Sequence, residues 1–335
     1  MIRDTTNGDA HMHAWTCLTT DGPDALVWTE SRTPEPKAGE VRVAIRAASL
    51  NFPDLLIVQG KYQMKPPLPF VPGTEYAGVI DALGAGVTHL KVGQAVAAFG
   101  GLGGFGTQAC VSANLAMPMP AGFSFEDAAA FICTYGTTHH ALMDRAALKA
   151  GETVLILGAA GGVGTAAIQI AKAAGARVIA AVSSAEKVKA CTALGADATI
   201  NYATHNLREE LKTLTAGKGP DVVYDPVGGD LAEPVFRSIG WRGRYMVIGF
   251  AQGGIPAVPW NLALLKGASI MGVFWGEFAR REPAQNARAL TELATWYAQG
   301  KIKPVIDCVM PMSDLPKAFA RMASRQVIGK LVLKN

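Results

Sequence analysis

The feature that most constrains the fold is a glycine-rich turn at residues 158–164, which read GAAGGVG. The apolar run TVLIL directly precedes this turn, and TAAIQIAKAAGA, whose apolar residues recur at helical spacing, follows it. A strand that leads through glycines into a helix lets the backbone approach a phosphate and presents the unpaired N–H groups of the helix N-terminus. No Lys-Ser or Lys-Thr pair follows the last glycine, which excludes a P-loop. The turn therefore predicts a dinucleotide site.

The spacing of these glycines is GxxGxxG, because Ala159 stands where the stricter pattern GxGxxG would begin. Small residues let the backbone pass close to a pyrophosphate, and the last glycine lets the helix lie tightly on the sheet. We predict that four residues of the turn bind the cofactor: Gly161, Gly162, Val163 and Gly164.

The chain shows two successive patterns of predicted secondary structure, and its 335 residues exceed the usual size of a single core. From about residue 12 to 120, short alternating segments separated by Pro and Gly predict a mainly-β domain. From about 138 to 272, strands alternate with helices, which predicts a parallel, doubly wound sheet. The tail is again strand-like and can complete the first domain. We predict a mainly-β domain split between 12–137 and 275–335, and a nucleotide-binding domain at 138–274.

The end of the second strand of the α/β region indicates which dinucleotide binds. An NAD site usually carries Asp or Glu there, whereas this chain reads AAVSSAEK, with Ser183, Ser184 and Lys187. Hydroxyl groups and a cation suit a 2′-phosphate, and Tyr202 after the third strand can add a hydrogen bond. Alternatively, Lys187 is a solvated helix residue whose charge Glu186 cancels. We predict NADPH as the cofactor.

Other candidate cofactor contacts follow later strands of the same sheet, because a doubly wound sheet binds its ligand at the carboxyl ends of its strands. These residues are Val227, Ile248, Phe250, Phe274 and Trp275. The alternative for the two aromatic residues Phe274 and Trp275 is a place in the core.

Composition excludes several classes of function. The net charge of +4 is spread without a run of Lys and Arg, so neither a nucleic acid nor a membrane surface is expected as a partner. No apolar stretch reaches the roughly 18 residues of a membrane span, and the polar N-terminus, up to about residue 13, is expected to be a frayed leader without a signal peptide. Five scattered cysteines favour reduced thiols and a cytoplasmic location. Cys133, without a basic neighbour, is expected in the core.

Seven stretches of the chain resemble the medium-chain dehydrogenase/reductase superfamily, specifically its zinc-free NADPH:quinone oxidoreductase branch. They are ASLNFPDLLIVQGKY, PFVPGTEYAGVI, TYGTTHHAL, VLILGAAGGVGTAAIQIAK, GADATINY, DVVYDPVGG and GKLVL. The resemblance covers about residues 12–335. It implies a GroES-like catalytic domain and a Rossmann nucleotide-binding domain, and we expect a homodimer.

The resemblance also implies residue roles around the nicotinamide and the substrate. Asn51 is a candidate polar contact to the substrate or to the nicotinamide ribose, Tyr62 a candidate donor to the substrate oxygen, and Asp54 an orienting residue. The alternative for each is a turn or rim residue of the loop NFPD. Thr137, expected at the start of the helix THHALMD, matches a family position near the nicotinamide.

The metal ligands of zinc-dependent members of the superfamily are missing. Those relatives place a Cys after the first long strand and a His in a GHE motif, where this chain reads NFPD and Gly73-Thr74-Glu75. Catalytic zinc needs three protein ligands, and neither Asp54 nor Glu75 replaces the missing pair. His139 and His140 are neighbours expected to point in different directions on a helix. We predict no metal site.

Without a Lewis acid, hydride transfer to a quinone or another conjugated carbonyl (an enone or enal) is easier than oxidation of a simple alcohol. We therefore predict an NADPH-dependent reductase of such acceptors. One alternative is an enoyl-CoA reductase, which would need a basic patch beyond the scattered Arg280, Arg281, Lys301 and Lys303. Another is a non-enzymatic protein of the same fold that keeps its nucleotide site.

Overall fold

The structure, a computed structural model, describes residues 11–335. The strands in this range are β1 (His11–Cys17), β2 (Leu26–Arg32), β3 (Glu40–Leu50), β4 (Glu75–Leu83), β5 (Ala95–Phe99), β6 (Gln108–Ser112), β7 (Ala116–Pro118), β8 (Thr153–Leu157), β9 (Arg177–Val182), β10 (Ala198–Asn201), β11 (Val222–Asp225), β12 (Arg244–Val247), β13 (Ser269–Gly272), β14 (Ile306–Pro311) and β15 (Lys330–Lys334). The α-helices are α1 (Phe52–Val58), α2 (Phe125–Ala129), α3 (Ile132–His139), α4 (Gly162–Ala173), α5 (Ala185–Ala193), α6 (Leu207–Leu214), α7 (Ala232–Ser238), α8 (Asn261–Lys266), α9 (Trp275–Arg281), α10 (Pro283–Ala298) and α11 (Leu315–Ala323). None of these helices is long and apolar enough to cross a membrane.

The described chain forms two compact units. The first comprises the residues up to Cys133 together with 306–326 and 330–335, and the second comprises 134–305 and 327–329. These units differ from the predicted domains chiefly in residues 275–305, which the structure groups with the second unit.

The boundary moves because helices α9 and α10 pack on the start of the second unit. The indole of Trp275 lies against Gly136, where an added Cβ would be 2.7 Å from the ring. Glu292 of α10 lies 2.9 Å from the imidazole of His139, and Gln285 donates to Asp144. Strand structure resumes after these helices, at β14.

The first unit is mainly β. Strand β3 pairs antiparallel with β4, β6 and β15, and the larger sheet has the order β14-β15-β3-β4-β5-β7, with β6 on β3. Alternate residues of the first half of β3 are buried, and Ala47–Leu50 are buried without interruption as the strand enters the core. His11–His13, expected in a frayed leader, belong to β1, which pairs with β2 in a two-stranded sheet.

The second unit is built on the predicted parallel sheet. Its order is β10-β9-β8-β11-β12-β13, and every neighbouring pair is parallel. Strands β8, β9 and β11 are almost entirely buried, as expected for a sheet covered on both faces by helices. The strand order reverses between β8 and β11, and such a switch point is where open α/β sheets bind their ligands.

The helix at THHALMD differs from the prediction. Helix α3 begins at Ile132, so Thr137 lies within it and not at its start, and the chain continues as a π-helical turn from His140 to Arg145. This wider turn brings His139 and His140 to the wall of one cavity, although adjacent residues of a regular helix would diverge.

Candidate functional site

The loop NFPD lies where β3 ends and α1 begins, inside the first unit. Asn51 precedes helix α1, and Asp54 lies in its first turn with no exposed surface. One carboxylate oxygen of Asp54 accepts from the backbone N–H of Asn51 at 2.7 Å, and the other accepts from the N–H of Thr74 at 2.9 Å. Asp54 therefore joins the end of β3 to the start of β4, as an orienting residue would.

The amide of Asn51 is the centre of a buried polar cluster. Its Nδ2 donates to Thr74 Oγ1 at 3.2 Å and to Glu75 Oε2 at 3.1 Å, while its Oδ1 accepts from Lys330 Nζ at 2.5 Å. The side chain of Asn51 is 5% exposed. The cluster consequently holds Asn51 in one orientation.

Glu75 anchors the other side of this cluster. It has no exposed surface, and it accepts from Ser49 Oγ at 3.0 Å and from the backbone N–H of Cys133 at 2.8 Å, in addition to Asn51. Lys330 Nζ lies 3.9 Å from Glu75 Oε2. A buried carboxylate needs hydrogen bonds and a nearby cation to remain charged, and Glu75 has both.

Burial is the largest influence on the pKa values of Asp54 and Glu75. It raises the pKa of Asp54 to about 7, although the hydrogen bonds from Asn51 and Thr74 and the charge of Lys330 lower it. Burial likewise raises the pKa of Glu75 against the charge of Lys330. Near neutral pH, Asp54 is therefore partly protonated.

Tyr62 lies close to Asp54 and Cys133, half-buried in the same unit. Burial, and then the charges of Cys133 and Asp54, raise the pKa of the Tyr62 hydroxyl, so it stays protonated and can donate a hydrogen bond. Cys133 was expected in the core but is half-buried. It lies beside Tyr62 and Glu75, at the edge of the cluster.

The glycine-rich turn has the geometry of a phosphate-binding loop. Gly158 adopts a φ of 56°, and Gly161 precedes helix α4, which begins at Gly162. A Cβ at Gly164 would overlap Gly158 O and lie 2.7 Å from Ala159 Cα, whereas a Cβ at Gly161 would meet only Gly158 O at 3.4 Å. Gly164 is therefore needed for packing, and the space beside Gly161 is a cradle that a side chain would fill. The turn fits a pyrophosphate.

The predicted 2′-phosphate residues converge at the carboxyl ends of β9 and β10. The Tyr202 N–H donates to Val182 O at 3.0 Å, which places Tyr202 beside Ser183. Ser184 Oγ accepts from the Lys187 N–H at 3.3 Å and caps helix α5. This helix N-terminus, two hydroxyl groups and a lysine suit a phosphate monoester.

Three further candidates follow β11 and β12, and one of them lies against the glycine-rich turn. Val227 contacts the turn, because a Cβ at Gly158 would lie 2.8 Å from Val227 Cγ2. Ile248 donates to Asp225 O at 2.9 Å. The buried carboxylate of Asp225 accepts from the Val227 N–H at 2.7 Å and from the Tyr245 hydroxyl at 2.5 Å, and it thereby shapes this edge of the sheet. Phe250 follows in the same loop, against Gly228.

The two aromatic candidates after β13 differ in exposure. Phe274 is 55% exposed and accessible to a ligand. Trp275 is 5% exposed, packs on Gly136 and donates to Asn286 Oδ1 at 3.0 Å. We therefore withdraw Trp275 from the cofactor contacts, because its alternative as a core residue is what the geometry supports. Thr137 is half-buried on α3.

Sequence reasoning missed three members of the polar cluster: Ser49, Thr74 and Lys330. Glu75 was considered only as a metal ligand. The sequence indicates that Lys330 is buried, since GKLVL places a lysine beside an apolar run typical of a buried strand. A lysine there has to find acceptors, but the sequence does not show that they come from residues about 280 positions away.

Comparison with known proteins identifies both parts of the chain. Residues 37–121 match the family described as alcohol dehydrogenase GroES-like domain, and residues 162–296 match the family described as zinc-binding dehydrogenase. The quinone oxidoreductase-like protein 2 homolog of Nematostella vectensis is 36% identical, over 94% of this chain and 87% of that protein. The quinone oxidoreductase of Pseudomonas aeruginosa is 35% identical, over 93% of this chain and 96% of that protein.

Solved structures agree with this assignment. The crystal structure of Escherichia coli quinone oxidoreductase complexed with NADPH superimposes with a TM-score of 0.90 at 32% identity, covering 97% of this chain and 100% of that chain. The predicted combination of a GroES-like mainly-β domain and a Rossmann domain is thereby confirmed. Because relatives this similar span almost the whole chain, the protein belongs to the quinone oxidoreductase branch of the medium-chain dehydrogenase/reductase superfamily and is an oxidoreductase.

Proposed function

We propose that the protein is a zinc-independent, NADPH-dependent reductase that transfers a hydride to a quinone or another conjugated carbonyl compound. The observation that carries this proposal is that the same chain has a glycine turn with the geometry of a phosphate-binding loop and a tyrosine, Tyr62, whose raised pKa keeps its hydroxyl protonated. The NADPH complex of the E. coli quinone oxidoreductase supports the choice of cofactor.

When bound, the reduced nicotinamide supplies the hydride. The protein's own contribution is to bind, orient and polarise. Gly161, Gly162, Val163 and Gly164 hold the pyrophosphate, and Tyr62 donates a hydrogen bond to the substrate oxygen on which negative charge develops. Asp54 keeps the loop that carries Asn51 in place through its two backbone hydrogen bonds.

Zinc independence is proposed from the chemistry of the ligands. Among residues 11–335, no cluster of three or more His, Cys, Asp or Glu side chains is arranged to hold a metal ion. Thr74 and Glu75 stand in the segment where zinc-dependent relatives carry their His, and both are committed to Asn51. We therefore infer that this chain shares the fold, and not the metal site, of the family described as zinc-binding dehydrogenase.

The decisive experiment is an NADPH-oxidation screen with purified protein across quinones, enals, enones and enoyl-CoAs, with and without a metal chelator. We expect turnover with quinones or enones that the chelator does not change, and negligible oxidation of ethanol with NADP⁺. Activity that disappears with the chelator and returns with zinc would contradict the proposal, as would turnover restricted to simple alcohols.

An enoyl-CoA substrate is the less favoured alternative, because Arg280 and Arg281, two of the four basic residues considered for its phosphates, already share one carboxylate. Arg280 donates to Glu277 at 2.6 Å and Arg281 donates to the same carboxylate at 2.5 Å. These ion pairs lower the pKa of Glu277 to about 2. The enoyl-CoA arm of the screen tests this alternative directly.

Cofactor preference provides a prediction for the helix α5 site. We expect the wild type to bind NADPH at least about tenfold more tightly than NADH, a difference of about 1.4 kcal/mol. Lys187→Ala should remove most of this preference, because it deletes a charge-assisted contact to the 2′-phosphate. Titration calorimetry with both cofactors measures it. Lys189→Ala, an exposed residue of the same helix, is the matched control and should keep the preference. Equal affinities of the wild type for both cofactors would exclude a 2′-phosphate site.

We propose that the protein is a homodimer that joins two copies at strand β13. This strand is at the edge of the six-stranded sheet, and exposed apolar residues lie on it and on the neighbouring segments of the chain. These exposed residues lie in β13, in α8 and in the neighbouring loops: Trp241 (72%), Ile255 (79%), Trp260 (84%), Leu264 (80%), Leu265 (67%) and Ile270 (44%). Monomeric proteins seldom expose so many large apolar side chains together, and an open sheet edge readily pairs with a second strand.

The oligomeric state is measured by analytical ultracentrifugation. The double substitution Leu264→Glu and Leu265→Glu should convert the dimer to a monomer, because it buries four like charges in a two-fold interface. Val92→Glu, at an exposed apolar residue of the first unit, should leave the dimer intact. A monomeric wild type would contradict the proposal.

We also propose a cytoplasmic location, because cysteines that form no disulfides favour a reducing compartment. Among the described residues none of the five cysteines forms a disulfide, and Cys17 and Cys191 are buried. Cell fractionation followed by immunodetection tests this location, and recovery in an extracellular or membrane fraction would contradict it.

A further inference from the structure

Lys330 is a buried lysine for which the proposed function has no role so far. It is the first residue of β15, and its side chain is 6% exposed. Its Nζ donates to Leu50 O at 3.0 Å and to Asn51 Oδ1 at 2.5 Å. A lysine is seldom buried unless its charge is paired, and here the paired groups surround a candidate catalytic residue.

The contact with Lys330 fixes which end of the Asn51 amide faces which neighbour. A lysine ammonium group only donates hydrogen bonds, so the atom of Asn51 that faces it has to be the oxygen. The nitrogen then faces Thr74 Oγ1 and Glu75 Oε2, which accept both of its hydrogens. In the presence of Lys330, rotating the amide by 180° would break a charge-assisted hydrogen bond. Without Lys330 this cost is absent, and the amide could turn over.

The hydrogen-bonding capacity that remains on Asn51 is therefore a single acceptor. Both N–H groups are committed inside the cluster, and one of the two lone pairs of Oδ1 is committed to Lys330. Such a group can accept from a hydroxyl group of a ligand. It cannot donate to a carbonyl oxygen or to an oxyanion.

We propose that Lys330 is a positioning residue that fixes Asn51 as a hydrogen-bond acceptor for a sugar hydroxyl group, so that Asn51 binds the ribose of the nicotinamide half of the cofactor and does not stabilise charge on the substrate. This inference rests on the proposed function, since it names a part of the same cofactor. It decides between the two roles, substrate contact and ribose contact, that the sequence leaves open for Asn51. It also leaves Tyr62 as the donor to the substrate oxygen.

The test compares the binding of two ligands by titration calorimetry: NADPH, and adenosine 2′,5′-diphosphate, which lacks the nicotinamide riboside. Lys330→Met should weaken NADPH binding at least about tenfold and leave adenosine 2′,5′-diphosphate binding within about twofold. Lys330→Arg, which keeps a cation and its donors, should restore most of the NADPH affinity. A purely structural role of Lys330 would weaken both ligands alike, and that result would overturn the inference.

Lys334→Met is the matched control. Lys334 lies on the same strand, but its side chain is 55% exposed and pairs with Glu126 at 2.7 Å on the surface. The control should bind both ligands as the wild type does. If Lys330→Met binds NADPH as tightly as this control, Lys330 has no positioning role.

A double-mutant cycle separates an action through Asn51 from an independent one. If Lys330 acts through Asn51, Lys330→Met should change NADPH affinity less than about twofold in an Asn51→Ala background, because the oriented acceptor is already absent. Losses that multiply in the double mutant would overturn the inference. Should Lys330→Met fail to fold, the same cycle is measured with Lys330→Gln, which removes the charge.

Failure of this inference can be told apart from failure of the proposed function. A wild type that binds neither ligand would overturn the proposed function and the ligand assigned to Asn51 together. A wild type that binds both, with NADPH affinity insensitive to Lys330 and Asn51, would overturn this inference alone.

Discussion

Gly164→Ala is expected to lower the melting temperature of the protein by several degrees. The added Cβ would overlap Gly158 O and lie 2.7 Å from Ala159 Cα, and both neighbours are backbone atoms that cannot rotate away. Overpacking of this kind costs about 1–3 kcal/mol, and each kcal/mol shifts the melting temperature by about 2–4 °C for a protein of comparable size. Differential scanning calorimetry measures the shift, and because helix α4 has to move from the turn, the affinity for NADPH should fall as well.

Gly161→Ala is the matched control within the same turn. Gly161 has a φ of −76°, which any residue adopts, and its added Cβ would meet only Gly158 O at 3.4 Å. We therefore expect a nearly unchanged melting temperature but at least about tenfold weaker NADPH binding, since the methyl group fills the cradle that the pyrophosphate needs.

The pair distinguishes packing from ligand binding at two positions three residues apart. If Gly164→Ala is as stable as the wild type, the close approach of α4 to the turn is not required. If Gly161→Ala binds NADPH normally, the pyrophosphate does not lie over this turn.

Tyr62→Phe should lower kcat/KM for quinones about 10- to 100-fold, which corresponds to about 1.4–2.7 kcal/mol of transition-state stabilisation. The hydroxyl is half-buried and its pKa is raised, so it remains a donor throughout the neutral range. Donors in fully enclosed oxyanion holes contribute about 2.7–4 kcal/mol, and a half-buried donor should contribute less. NADPH binding should be largely unchanged, because Tyr62 is assigned to the substrate.

Tyr76→Phe is the control for this substitution. Tyr76 belongs to the same unit, its hydroxyl is buried, and that hydroxyl has no hydrogen-bond partner among the described residues. Removing it should leave steady-state kinetics unchanged and stability equal or higher. If Tyr62→Phe turns over every quinone and enone as the wild type does, the donor to the substrate oxygen is another group.

Much of the second unit could be predicted from the sequence, for a local reason. Continuous apolar runs such as Thr153–Leu157, separated by helical periods, mark a buried parallel sheet, and parallel strands align their carboxyl ends at one edge. The residues that follow each strand, such as Ser183 and Val227, could therefore be assigned to a common edge before any coordinate was known. That assignment remains a prediction for the cofactor itself.

Predictions failed where the deciding contacts are distant in sequence. The aromatic residue Trp275 follows a strand of the sheet as a cofactor contact would, but its ring packs on Gly136, which no local pattern reveals. The return to the first unit was placed at 275 because the strand-like composition of the tail does not show which unit α9 and α10 pack against. The half-buried position of Cys133 likewise depends on Glu75 and Tyr62.

By itself, the sequence determined the two-domain class and the glycine turn with its helix N-terminus, because each of these depends on residues close together in the chain. Only the tertiary structure decided what Asn51 can do. Its amide meets Thr74 and Glu75 from one strand and Lys330 from another, and these contacts commit all of its hydrogen-bonding groups except one lone pair. A side chain's chemistry depends on which donors and acceptors remain uncommitted after folding, and residues about 280 positions apart set that remainder here.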